Sequence, residues 1–148
     1  MANSASYSFL DVIATFVGPT GAFPLNSGIE AGGITITMTG DKNTMVVGAN
    51  GDVQHSLHAD NSAQITVKLL KTSPTNALLS AMYNVQKLSA STWGQNVINI
   101  NSAIGDDIVA TSVAFKRQPS VVYDKEGALN EWMFDVGTVT EILAASIV

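Results

Sequence analysis

Ile34-Thr35-Ile36-Thr37-Met38-Thr39 alternates without a break, placing Ile34, Ile36 and Met38 on one face of an extended chain and three threonines on the other. Threonine is β-branched, so it favours the pleat while presenting a hydroxyl instead of a charge. The stretch predicts a strand with one buried face and one wet, uncharged face. Outward from it, Gly40-Asp41-Lys42-Asn43 reads as a turn and Thr44 to Val47 as a short strand. Asn50-Gly51 is a two-residue hairpin signal, and Val53 to His58 reads as the return strand. Asp60-Asn61-Ser62 turns the chain again, and Ile65, Val67 and Leu69 then alternate with Thr66 and Lys68. Residues 34–70 are therefore expected to form a β-meander.

The rest of the chain continues the β reading, with one exception. Phe9 to Val17 reads as a first strand, ended by Gly18-Pro19-Thr20-Gly21, with a loop from Pro24 to Gly33. Val97 to Ile104, Ile108 to Phe115 and Asn130 to Val136 read as later strands, the last two separated by a long connection. The exception is a helix over about 74–88. Ser73 is an N-cap residue, Pro74 suits the first helical position, and Leu78, Leu79, Met82 and Val85 recur at helical spacing. That stripe needs cover, and Ile34, Ile36, Val53, Leu57, Ile65 and Val67 are expected to pack beneath it.

A chain of 148 residues favours one domain, and the absence of cysteine excludes disulfides, a thiol nucleophile and a thiolate zinc site. Only 13% of residues are charged, about half the share in an ordinary soluble domain. The polar surface is then mainly Ser, Thr and Asn, which suits strands and packed protein contacts. A net charge of −5 opposes wrapping a phosphate backbone, and Lys116-Arg117 is the one adjacent basic pair. No secretion signal is visible at the start, and no apolar run approaches the ~18 residues that span a bilayer. The expected setting is the cytoplasm of the producing cell, with no membrane anchor.

Chemistry finds no foothold. His55 and His58, three apart in a strand, fall on opposite faces and cannot readily share a metal. Asp41-Lys42-Asn43 starts like a calcium loop, but Met45 stands where a third oxygen ligand belongs. There is no G-x-S-x-G elbow, no phosphate loop and no strand–G-x-G-x-x-G–helix unit. Asp106-Asp107 reads as a solvated turn, and Trp93 and Trp132 as core. No cofactor, metal or catalytic residue is expected. The reading that remains is a structural protein that assembles with copies of itself; a small-ligand-binding β-barrel is the alternative from another class, and an enzyme a distant third.

Several segments resemble, in order along nearly the whole chain, the tail tube proteins of contractile-tailed bacteriophages. They are Ser6-Tyr7-Ser8-Phe9, Gly33-Ile34-Thr35-Ile36, Asp41-Lys42-Asn43-Thr44-Met45 and Gly48-Ala49-Asn50-Gly51, then Leu70-Lys71-Thr72-Ser73-Pro74-Thr75-Asn76, Ala114-Phe115-Lys116-Arg117-Gln118-Pro119 and Glu131-Trp132-Met133-Phe134. The resemblance implies a mostly β, sandwich-like or barrel-like fold with one flanking helix. It implies a single domain over 1–148 with terminal arms and an assembly loop near 40–51. It further implies hexameric rings stacked into a hollow virion tube, with sheath, tape-measure and baseplate proteins as partners, through which DNA passes without specific binding. The related tube of type VI secretion, which exports proteins, is the nearest rival. On this reading Thr35, Thr37, Gln54 and Ser56 line the lumen. Asp41, Lys42, Asn43, Met45, Val46 and Val47 mediate contacts between subunits, as do Ile147 and Val148 in the apolar C-terminal segment. The segment from Gly40 to Asn50 is expected to gain its order only on stacking, having too little apolar surface to anchor itself.

Overall fold

The computed structural model describes residues 6–25 and 29–143, with 29–32 described by backbone alone. Among these residues, nine strands and one α-helix follow a short 3-10 turn at Phe9–Asp11, in which the Ser8 hydroxyl accepts from the Leu10 N–H. The strands are β1 (Val12–Gly18), β2 (Gly21–Pro24), β3 (Ile29–Met38), β4 (Asn43–Val47), β5 (Val53–Leu57), β6 (Ala63–Leu69), β7 (Asn96–Ser102), β8 (Asp107–Arg117) and β9 (Asn130–Ile142). The helix α1 (Thr75–Gln86) lies between β6 and β7 in sequence.

Seven strands form one antiparallel sheet in the order β2-β1-β7-β8-β9-β6-β3; β4 and β5 form a separate two-stranded ribbon. The sheet is strongly curled. Phe16 on β1 and Phe134 on β9 stand three strands apart, a separation of about 14 Å in a flat sheet. Their rings are 5.5 Å apart. Phe115 packs at 5.7 Å from Phe16, 5.1 Å from Phe134 and 6.0 Å from Trp132. The sheet thus rolls around an aromatic centre, flanked by Ile65, Val67, Ile98 and Val113. It does not close: among the described residues, β2 and β3 each have a strand neighbour on one side only.

α1 packs beside this core. Leu79 and Met82 are buried, Tyr83 meets Phe115 edge-on at 5.5 Å, and the Trp132 indole N–H donates to Asn76 Oδ1 at 3.0 Å. The Ser73 hydroxyl accepts from the Thr75 N–H, but the N-cap is Pro74, not Ser73, and the regular helix starts at Thr75, one residue later than the sequence suggests.

Several expectations need correction. The meander is interrupted: β3 pairs directly with β6, Thr35 opposite Thr66 and Thr37 opposite Gln64, and the intervening residues leave the sheet as the β4–β5 ribbon. Val53 and Leu57 consequently do not lie beneath the helix; they are 53% and 82% exposed. The ribbon has its own ladder, Asn43 opposite Leu57 through Val47 opposite Val53, so residues 43–47 need no partner copy to adopt a strand. The link between β4 and β5 spans Gly48 to Asp52, and within it Gly51 alone takes a positive φ, at 93°; a tight two-residue turn is not formed. Finally, Gly21–Pro24, expected as loop, pairs with β1, while β9 runs on past Val136 to Ile142.

Candidate functional site

The surfaces that matter are those the fold leaves uncovered. On β3, the side chains of Thr35 and Thr37 are exposed on the convex face, opposite Ile34 and Ile36, which pack against the core. Their sheet neighbours on that face are Thr66, Gln64 and Met133, with Asp135 opposite Gln64. Lys68 stands directly opposite Glu131, so this cation has a carboxylate in register on its own chain.

The ribbon is two-faced. Odd-numbered positions put Met45, Val47, Val53 and Leu57 on one side; even-numbered positions put Thr44, Val46, Gln54 and Ser56 on the other. Met45, Val46, Val47 and Val53 are all more than half exposed. An isolated two-stranded ribbon is marginal in water, and polar ties help hold this one. Asn43 Nδ2 lies 3.2 Å from His55 Nδ1, and Thr44 Oγ1 lies 2.6 Å from His58 Nε2. Lys42 Nζ donates to Asn61 Oδ1 at 2.7 Å, pinning the ribbon base to the β5–β6 turn. In that turn the Ser62 hydroxyl and N–H donate to Asp60 and hold its carboxyl below the ordinary range. The two histidines thus have separate partners.

The assembly residues expected from sequence are brought together in part. Asp41, Lys42, Asn43, Met45, Val46 and Val47 share the ribbon or its base. Gln54 and Ser56 sit on the ribbon too, in a different sheet from Thr35 and Thr37, so those four do not form one strand-to-strand surface within a single copy. Ile147 and Val148 lie outside the described residues. Among the described residues no three His, Asp or Glu side chains group as metal ligands, and no helix is long and apolar enough to cross a membrane.

Two exposed apolar surfaces were not singled out by the sequence. The outer side of α1 presents Leu78, Ala81 and Val85, which with Phe23 of β2 line a groove of about 300 Å³. The β8–β9 connection presents Val121, Val122 and Tyr123, the last 87% exposed. Lys71 holds that connection: its ammonium donates to the Val122 carbonyl and lies 4.2 Å from the centre of the Tyr123 ring.

The described residues thus form a curled sheet with two one-sided edges and an exposed apolar ribbon standing off it. Residues 4–144 match the family model described as bacteriophage PhiTE tail tube protein. The chain belongs to that tail tube family. No curated protein matches it in sequence. Its fold resembles chains from solved contractile injection systems. One, from the sheath-tube complex of the extracellular contractile injection system PVC in the extended state, is 13% identical with a TM-score of 0.58, over 95% of this chain and 93% of that one. A second, from the anti-feeding prophage tube-terminating cap, is 15% identical with a TM-score of 0.58, over 97% and 95%. A third, from the six-fold symmetrised anti-feeding prophage baseplate, is 11% identical with a TM-score of 0.56, over 96% and 97%. At such identities the likeness concerns the fold. Tail tube membership makes the chain a structural component of a phage tail.

Proposed function

We propose that this tail tube protein polymerises as stacked hexameric rings into a hollow conduit through which DNA reaches the host. The observation that carries the reading is the pair of one-sided edges, β2 and β3, at the two ends of one curled sheet. Different edges on one subunit invite head-to-tail pairing, which closes into a ring when the rotation per copy is right. A closed ring removes the open edges that otherwise template aggregation. Pro24 on β2 limits ladder pairing there, so the contact draws on few backbone bonds from that edge and on side-chain cover beside it.

In the ring, Thr35 and Thr37 face the lumen with the polar side of the ribbon, Gln54 and Ser56. A lining of hydroxyls and amides without clustered cations lets a phosphate backbone slide without being gripped. The ribbon carries Met45, Val46 and Val47 into contact with the next ring. Sheath, tape-measure and baseplate proteins are the remaining partners, in keeping with the sheath-tube and baseplate assemblies from which the fold relatives come. The subunit is made in the host cytoplasm and ends in the virion tail.

Negative-stain microscopy of concentrated protein tests this. Rings or uniform hollow filaments are expected; a monodisperse monomer at every concentration would overturn it. The fold relatives from extracellular injection systems favour one second reading, a tube that delivers protein. Nuclease-protected DNA in purified particles distinguishes the phage tail from that alternative. A private ligand cavity finds no support, because the inside of the curl is filled by Phe16, Phe115, Trp132 and Phe134 in mutual contact.

A further inference from the structure

Asn50-Gly51 is the one Asn-Gly pair in the sequence, and it lies in the link that joins β4 to β5. This pairing is chemically reactive, because glycine has no side chain to crowd its own backbone nitrogen. That nitrogen can attack the side-chain carbonyl carbon of the asparagine before it. The surroundings of Gly51 are open: even an added β-carbon would meet no atom within 4 Å. Asn50 and Gly51 are both exposed to water, which the reaction consumes.

The closed link keeps the reacting groups occupied elsewhere. Asn50 Nδ2 donates to Asp52 Oδ2 at 2.8 Å, and the Asp52 N–H donates to Asn50 Oδ1 at 3.2 Å. One neighbour therefore engages both ends of the amide. The Gly51 N–H, which carries the attacking nitrogen, donates to the Gly48 carbonyl at 2.9 Å. The Gly48 N–H in turn donates to the Asp52 carbonyl at 2.7 Å and draws the two ends of the link together. A β-carbon on Gly48 would stand 3.1 Å from Asn50 Oδ1, so the glycine leaves room for the held amide.

We propose that Asn50 is a deamidation site gated by this link, with Asp52 as the positioning residue that keeps it slow. The hydrogen bonds from Asn50 and Asp52 are exposed, and the ribbon is separate from the seven-stranded sheet, so the link opens while the sheet stays folded. Once it opens, the amide turns towards Gly51. The Gly51 nitrogen bonds to Asn50 Cγ while the Cγ–Nδ2 bond breaks, and Nδ2 leaves as ammonia with the proton that Gly51 gives up. Water then opens the cyclic imide at either carbonyl. Attack at the side-chain carbonyl gives aspartate; attack at the backbone carbonyl gives isoaspartate. Either product sets a new carboxylate beside Asp52, and isoaspartate also lengthens the backbone, so the link no longer closes as before. The modification is a one-way record of opening at the end of the ribbon. It concerns the single copy and does not depend on how copies assemble.

Peptide mapping by mass spectrometry tests this on dilute full-length chains held at mildly alkaline pH. Conversion of the Asn50 amide to acid is the readout, with isoaspartate separated from aspartate by chromatography. Conversion in the folded parent should be at least about tenfold slower than in the same chain in concentrated urea; equal rates overturn the proposal. Asp52→Ala removes the acceptor of Asn50 Nδ2 and should speed conversion in the folded chain about fivefold, the weight of one hydrogen bond. Asp52→Asn restores an acceptor without the charge and should bring the rate back to within about twofold of the parent. A rate as fast as that of Asp52→Ala would assign the effect to charge and refute the hydrogen-bonded gate. Asn61-Ser62 and Asn101-Ser102 serve as internal clocks in every sample. Acceleration at Asn50 with both clocks unchanged supports the gate. A parallel rise at both clocks in Asp52→Ala would show a loosened subunit and overturn it.

Discussion

Gln86 at the end of α1 and Asn96 at the start of β7, both fully buried, bond to each other twice: Gln86 Nε2 donates to Asn96 Oδ1 at 2.7 Å, and Asn96 Nδ2 donates to Gln86 Oε1 at 2.9 Å. Asn96 Nδ2 also donates to the Val113 carbonyl at 3.0 Å. This amide pair ties the helix to the middle of the curled sheet, on the same strand as the Tyr83–Phe115 contact. Because a buried amide left unpaired carries its full desolvation penalty, Asn96→Leu or Gln86→Leu is expected to cost about 2–4 kcal/mol. The double substitution should cost less than the sum, since it removes both polar groups. Urea denaturation of the two single variants and the double variant measures the difference.

Gly18 sits against the same pair. A β-carbon there would lie 2.5 Å from Asn96 Oδ1 and 3.0 Å from Met82 Sδ. Gly18→Ala therefore forces the amide pair apart and should destabilise the subunit by about 1–3 kcal/mol, read as a lowered denaturation midpoint.

Ser112, in the middle of β8, has φ at 54°, the left-handed region that a residue with a β-carbon adopts at a cost. The ladder between β7 and β8 shifts register here, with Asn96 opposite Val113 and Ile98 opposite Ala110. Such a bulge increases local twist and helps the sheet curl. Ser112→Gly relieves the strain and is expected to stabilise the subunit by about 0.5–1 kcal/mol in the same denaturation assay.

The ribbon offers the reverse kind of variant. Met45→Ser with Val47→Ser removes apolar surface that is more than half exposed in the single copy, so subunit stability should move by no more than about 0.5 kcal/mol per site. Assembly should suffer instead, with a critical concentration raised several-fold in a light-scattering assay. A large loss of subunit stability with normal assembly would show that the ribbon serves the fold and not its partner.

Much of this was legible in sequence where local pattern alone decides the outcome. The Ile/Thr alternation of residues 34–39 identified the second half of β3 and the opposite faces of Ile34 and Ile36 and of Thr35 and Thr37. Met38, however, is 46% exposed, and β3 begins at Ile29, inside the expected loop. Ser73-Pro74 located the start of α1 to within one residue. Pattern failed where pairing is non-local. Nothing in the alternation of Val53 to Leu57 reveals that β3 skips this strand to join β6, so a meander was the simplest expectation. The buried face of α1 was half read: Leu79 and Met82 are inside, but Leu78 and Val85 are exposed and Gln86 is buried. Polarity ranks glutamine as surface; only a partner ten residues on, Asn96, makes its burial affordable. β2 escaped notice because four residues ending in proline carry too little pattern. The continuation of β9 was hidden by Gly137 and Thr138, which interrupt its apolar period.

The tube account depends on β3 finding a second strand neighbour from another copy. Hydrogen exchange of the β3 backbone, compared between monomer and polymer, tests this most directly. Amides of residues 29–38 that point away from β6 should exchange freely in the monomer and become protected in the polymer, while β6 amides stay protected in both. Free exchange of those β3 amides in a fully assembled polymer would contradict the account.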